Sequence, residues 1–111
     1  MPIEKWSDRV SVIHLGDDPQ FSEDLAALEA DGNNPAGAAN LVLDFASVHF
    51  IDSSNIARLL KLRQALRGRD RRLMLCGIPT QIWGTFLGTG LDQLFEFSDN
   101  VTTALATLQI K

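Results

Sequence analysis

Cysteine is nearly absent. Cys76 is the single one in 111 residues, which rules out a disulfide within the chain and suits a reducing compartment. Also missing is any apolar run approaching the roughly 18–20 residues that a membrane-spanning helix needs. The opening stretch Met1 to Trp6 contains Pro2, Glu4 and Lys5 and has no signal-peptide-like apolar segment. The expectation is a cytoplasmic protein without membrane insertion. Positive charge is in the minority, with 10 basic against 14 acidic residues and a net charge of −4. That balance argues against a dedicated nucleic-acid binder, whose affinity grows with the phosphates it neutralises. There is no Gly-x-Ser-x-Gly elbow for a serine hydrolase. His14 and His49 lie far apart, and neither has a cysteine or carboxylate at metal-ligand spacing in the sequence. No enzymatic activity, metal or cofactor is expected, and there is no internal repeat.

What is present suffices for one globular domain, residues 1–111, with a 45% hydrophobic fraction able to form one core. Ile3 to Ser7 and Arg9 to Leu15 predict two short strands about a Ser7-Asp8 turn, with Trp6 packing at the sheet edge. Pro19 to Ala30, with Phe21, Leu25 and Leu28 on one side, predicts an amphipathic helix with Pro19 in its first turn. A Gly/Asn/Pro/Ala loop follows from Asp31 to Ala39. Leu41-Val42-Leu43, ending in Asp44, reads as a strand buried on both faces, and apolar anchors dot the connection Phe45 to Ile51. A helix then starts near Asp52 with Ile56, Leu59, Leu60 and Leu66 inward and Arg58, Lys61 and Gln64 outward. Leu73 to Cys76 predicts a strand, Thr80 to Thr89 a helix stopped by Gly90, Leu94 to Phe97 a strand, and Asn100 to Leu108 a last helix. Ile82, Phe86 and Leu87 are the inward candidates of the third helix, and Val101, Leu105 and Leu108 those of the fourth. The order ββαβαβαβα implies an α/β fold with four helices on a mixed, mainly parallel sheet.

The chemistry-bearing stretch is Asp52-Ser53-Ser54-Asn55, where a strand unit gives way to a helix. All four are capping residue types. A helix start also offers unpaired N–H groups and a partial positive charge, so a serine there can carry a phosphoryl group. The bare residues fit a cap as well as a phosphate acceptor. Seven of the ten basic residues lie between Arg58 and Arg72, either as a solvated helix face or as a dock for an acidic partner. Trp83 is either core or an exposed partner anchor at the edge of its helix, and Cys76 is expected to pack at a strand end.

Phe50-Ile51-Asp52-Ser53-Ser54-Asn55 resembles the phosphorylation segment of STAS domains, an apolar pair followed by Asp-Ser-Ser-Gly or Asp-Ser-Thr-Gly. Leu41-Val42-Leu43-Asp44 is similar to the family's central strand, Leu73 to Gly77 to the strand before its third helix, and Thr89 to Phe95 to the segment after that helix. The resemblance implies an anti-sigma factor antagonist with no enzymatic activity. Its partner would be an anti-sigma factor that is also a serine kinase and phosphorylates Ser53, which weakens the complex. Asp18, Asp52, Ser54, Asn55, Arg58 and Trp83 would contact that partner. Two positions depart from the pattern. Asn55 replaces the family glycine, tolerates the same backbone, and could crowd the kinase with its side chain. Gly16-Asp17-Asp18-Pro19 matches the family's Gly-Asp/Glu-x-Asp poorly, leaving Asp18 as the acidic contact. Two other functions remain open: an accessory subunit bound to the ATPase of a lipid-type ABC transporter, and a signalling scaffold that is never phosphorylated.

Overall fold

In the computed structural model, which describes residues 3–5, 9–30 and 40–109, the strands form one five-stranded sheet in the order β1-β2-β3-β4-β5. They are β1 Ile3–Lys5, β2 Val10–His14, β3 Asn40–Asp44, β4 Leu73–Cys76 and β5 Glu96–Ser98. β1 runs antiparallel to β2, and the remaining pairs are parallel, with Ile13 opposite Leu43, Leu43 opposite Leu75 and Leu75 opposite Phe97. The strand bearing Leu41 to Leu43 is therefore central, as its unbroken apolar run implies. The helices are α1 Gln20–Ala30, α2 Ser53–Gly68, α3 Thr80–Thr89 and α4 Val101–Gln109. The order ββαβαβαβα is the observed one.

Side chains alternate across each strand, so the sheet divides the core in two. Ile13, Leu41, Leu43, Leu73 and Leu75 face Phe21, Leu25 and Leu28 of α1, Leu59, Leu62 and Leu66 of α2, and Ile82 and Phe86 of α3. Val10, Val12, Val42, Met74 and Cys76 meet Ala104, Leu105 and Leu108 of α4 on the other side. The three crossover helices thus share one face, and α4 covers the opposite face by itself among the described helices. Burial pushes the Cys76 thiol up to about 12, with the nearby Asp44 charge adding to the effect. No helix among the described residues is long and apolar enough to cross a membrane.

Several expected boundaries and faces move. β2 is shorter than the expected Arg9 to Leu15, and the expected strand Ile3 to Ser7 is described only over Ile3–Lys5, since Trp6, the Ser7-Asp8 turn and residues 31–39 lie outside the described residues. Pro19 precedes α1 rather than entering it, and the Asp18–Pro19 peptide is cis. β5 begins at Glu96, because Leu94 belongs to the turn that closes a short helix at Leu91–Gln93. Leu87, expected inward, is exposed, since Ile82 and Phe86 already fill the inner side of α3. α4 starts one residue late: Asn100 Oδ1 instead accepts the Thr103 N–H at 2.9 Å as its cap.

Both histidines tie together distant segments. His14 Nδ1 lies 2.8 Å from Asp44 Oδ2, and its Nε2 lies 3.2 Å from Glu4 Oε1. These carboxylates, Asp44 first, hold the His14 pKa above its ordinary 6.5. The other oxygen of Asp44 accepts the Ala46 N–H at 3.1 Å. Gly77, at φ +67°, closes on the same carboxylate, and a Cβ there would stand 2.8 Å from Asp44 Oδ1. Neither histidine's carboxylate partner was visible from local spacing, because the partners come from other strands and loops.

Candidate phosphoacceptor site

α2 begins with a closed polar circuit. The Asp52 side chain accepts the Asn55 N–H at 2.9 Å, and Asn55 Oδ1 accepts the Asp52 N–H at 2.9 Å, a reciprocal capping box. Asp52 is the cap; Ser53 and Ser54 are the first two helical residues. Both serines are exposed, and among the described residues neither hydroxyl is engaged in a hydrogen bond. The four-residue capping pattern in the sequence therefore resolves into two capping residues and two free hydroxyls.

Asn55 points inward. It is only 1% exposed, and its Nδ2 donates to Asp18 Oδ2 at 2.8 Å and lies 3.3 Å from Ser22 Oγ. Asp18 Oδ1 in turn accepts the Ser22 N–H at 2.9 Å and the Ser22 hydroxyl at 2.7 Å, so it caps α1. One side-chain amide thereby joins the starts of α1 and α2. Positive φ is not needed at this position, since Asn55 lies within the helix, and its side chain does not project over Ser53 into solvent. The crowding expected from the sequence is absent for that reason.

The loop before α2 is held from the same direction. Asp17 Oδ1 accepts the backbone N–H of His49 at 2.7 Å and that of Phe50 at 3.3 Å, and Asp17 Oδ2 lies 2.9 Å from His49 Nδ1. Backbone donation from His49 is the main reason that Asp17 is held below the ordinary carboxylate pKa. Asp18 is lowered chiefly by the Asn55 amide, with a smaller contribution from the Arg58 charge. Both carboxylates therefore stay ionised beside the helix start. Phe45, Val48 and Ile51 anchor the loop in the core while Phe50 is 68% exposed.

The structure thus brings Asp18, Asp52, Ser53, Ser54, Asn55 and Arg58 together. Trp83 does not join them: its ring contacts are with Phe97, at 4.9 Å between centroids, and Phe86, at 6.3 Å. It stands half-buried at the edge of its helix, lining a cleft of about 240 Å³ with Ile78, Phe97, Ser98 and Asp99. Sequence reasoning missed Phe50 as a surface group and the Asp17–His49 brace. From Phe45 to Ile51 burial recurs every third residue, at Phe45, Val48 and Ile51, so Phe50 falls on the exposed side, a spacing that matches neither the roughly 3.6 of an α-helix nor the 2 of a strand. Among the described residues, no three His, Cys, Asp or Glu side chains converge as metal ligands.

Solved structures share this fold at low identity. A Thermotoga maritima protein described as an anti-sigma factor antagonist is 14% identical, with a TM-score of 0.82 over 97% of this chain and 93% of its own. The anti-sigma factor antagonist SpoIIAA in its unphosphorylated form is 19% identical, with a TM-score of 0.71 over 97% of this chain and 96% of its own. The phosphorylated form of the Bacillus protein is 18% identical, with a TM-score of 0.68 over 96% and 97%. A sulfate transporter family protein from Wolinella succinogenes is 17% identical, with a TM-score of 0.72 over 92% and 84%. A search of curated protein sequences finds no match. The family model for the STAS domain matches residues 10–104, from the first residue of β2 into α4, and this chain belongs to the STAS domain family.

Proposed function

We propose that the protein is a cytoplasmic anti-sigma factor antagonist, a non-enzymatic binding switch controlled by phosphorylation of Ser53. Its partner in this reading is an anti-sigma factor with serine kinase activity. The carrying observation is the unengaged, exposed hydroxyl of Ser53 on the first turn of a helix whose backbone is fixed by the Asp18–Asn55–Asp52 circuit. The buried Asn55 side chain leaves the approach to that hydroxyl open. SpoIIAA, which has both phosphorylated and unphosphorylated forms, supports the same reading by its shared fold.

The physical basis of the switch is charge. A phosphoryl group adds nearly two negative charges, which free N–H groups and the dipole at the helix start can accommodate without unfolding. A partner face fitted to a neutral serine, to exposed Phe50 and to the carboxylates of Asp18 and Asp52 would meet that charge at close range. Like-charge juxtaposition and desolvation of the phosphate then oppose the complex. Ser54, Asn55 and Arg58 complete the contact surface in this reading.

The test is a pull-down with the candidate anti-sigma kinase, with and without ATP. Wild type should be phosphorylated and released, Ser53→Ala should stay bound, and Ser54→Ala should still be modified. If wild type and Ser53→Ala behave alike with ATP and carry no phosphate, the switch is wrong. A stable, stoichiometric ATPase of a lipid-type ABC transporter in the pull-down would then favour an accessory subunit, and a stable signalling assembly a scaffold.

A further inference from the structure

At the far end of α2 the charge pattern inverts. Arg63, Arg67, Arg71 and Arg72 line one open groove of about 250 Å³, with Leu94 and Glu96 on its other side. Four guanidinium groups thus face one carboxylate on a chain whose net charge is −4. Ordinary structural duties account for only part of the cluster. Arg69, which does not line the groove, ties α2 to α1 through the carbonyls of Leu28 at 3.4 Å and Glu29 at 2.9 Å. Arg63 uses its Nε alone, donating to the Leu94 carbonyl at 2.8 Å. Arg72 grips Glu96 through Nε and Nη2, while its Nη1 is buried without a partner. Arg67 and Arg71 are exposed, and neither guanidinium has a partner among the described residues. Beside them Leu94, 44% exposed, presents apolar surface to the groove.

We infer that this groove docks an acidic peptide segment of a partner protein, with its carboxylates on Arg67, Arg71 and the free end of Arg63 and an apolar side chain over Leu94. The Arg72–Glu96 pair displays the required chemistry within the chain: a carboxylate gripped through two guanidinium nitrogens. Arginine forks are suited to planar, two-point recognition of carboxylate, which lysine cannot reproduce. A short cluster on an acidic protein neutralises too few phosphates for useful nucleic-acid affinity. An open groove below the roughly 300 Å³ at which small-molecule pockets begin also suits a side-chain-sized guest. The inference is independent of the Ser53 reading. In α2 (Ser53–Gly68) the groove residues Arg63 and Arg67 stand 10 and 14 residues after Ser53, which at about 1.5 Å per residue is roughly 15–21 Å along the axis from the helix start. A partner could hold this end while contacts at the other end change.

The experiment uses the whole chain and a labelled peptide of glutamates with one central leucine, followed by fluorescence anisotropy at low salt. Inorganic pyrophosphate and a single-stranded oligonucleotide serve as competing probes. Wild type and Lys61→Ala, a charge change on α2 outside the groove, should bind the peptide equally. The Arg67→Ala/Arg71→Ala double variant should bind it about five- to ten-fold more weakly, the loss of two exposed ion pairs. Leu94→Ser should weaken it without changing its salt dependence. Circular dichroism of each variant checks that the fold is retained. The inference is overturned if the peptide does not bind, or binds the double variant as it binds wild type. It is overturned equally if pyrophosphate or the oligonucleotide occupies the groove and the peptide does not.

Discussion

Asn55 uses both ends of one side-chain amide, Oδ1 on the Asp52 N–H and Nδ2 on the Asp18 carboxylate. Asn55→Gly would restore the family residue at this position yet remove both bonds and leave Asp18 with fewer donors. The expected cost is about 1–3 kcal/mol, read as a lower urea midpoint, with Ser53 still accessible. The pH response of the fold follows from two residues with opposite signs. Asp18 is depressed below its ordinary 3.8, so its stabilisation is complete above that value and is lost as pH falls through the folded pKa. His14 is raised above 6.5, so its stabilisation is complete below that value and is lost as pH rises through the folded pKa. His14→Gln should therefore flatten the decline in urea midpoint as pH rises above 6.5 and leave the acid limb unchanged. An unaltered decline in that variant would assign it to another group. The Asp52–Asn55 cap is local and its residue types were legible in the sequence, but the Asp18–Asn55 and His14–Asp44 partnerships were not. Asp18 and Asn55 are 37 residues apart and His14 and Asp44 are 30 apart, and side-chain bonds across such separations leave no local pattern.

α2 shows where periodicity works and where it misleads. Its apolar residues predict a stripe of Ile56, Leu59, Leu60 and Leu66, whereas the fully buried stripe is Asn55, Leu59, Leu62 and Leu66. The spacing of four, three and four is ideally helical, but it opens on a polar residue, so an apolar count slides one position toward Ile56 and Leu60. Those two are half-buried. The difference is measurable: Leu62→Ala should cost about 2–5 kcal/mol, the range for emptying a closed core site, and Leu60→Ala clearly less. Thermal or urea unfolding of the two variants side by side decides it. Elements flanked by turn residues were legible to within a residue or two, as Gly90 at φ +76° after α3 illustrates. β5 was displaced because Leu94-Phe95 carries strand-like residue types into a turn.

Across the whole molecule, the alternation of strands and helices was sufficient to anticipate the architecture, because parallel strands joined by helices leave few right-handed arrangements. What alternation could not foretell was the division of helices between the two faces, with α1, α2 and α3 on one and α4 on the other. The spatial order of the strands is also their order in the chain, and this has a consequence for how the protein is made. Each strand emerging from the ribosome can add to the edge of those already placed, and no strand must be inserted between two earlier ones. Assembly can proceed vectorially, helix by helix, on one face. The other face, with Val10, Val12, Val42, Met74 and Cys76, stays wet until α4 arrives last. Cys76 is consequently a built-in clock for that final step. In the folded protein its buried thiol, with a pKa pushed up to about 12, should resist alkylation. In pulse-labelling during refolding it should remain reactive after α1 and α2 have acquired amide protection, and lose reactivity only when α4 docks. Simultaneous protection of Cys76 and the α1–α2 amides would instead mean that both faces close in a single cooperative event.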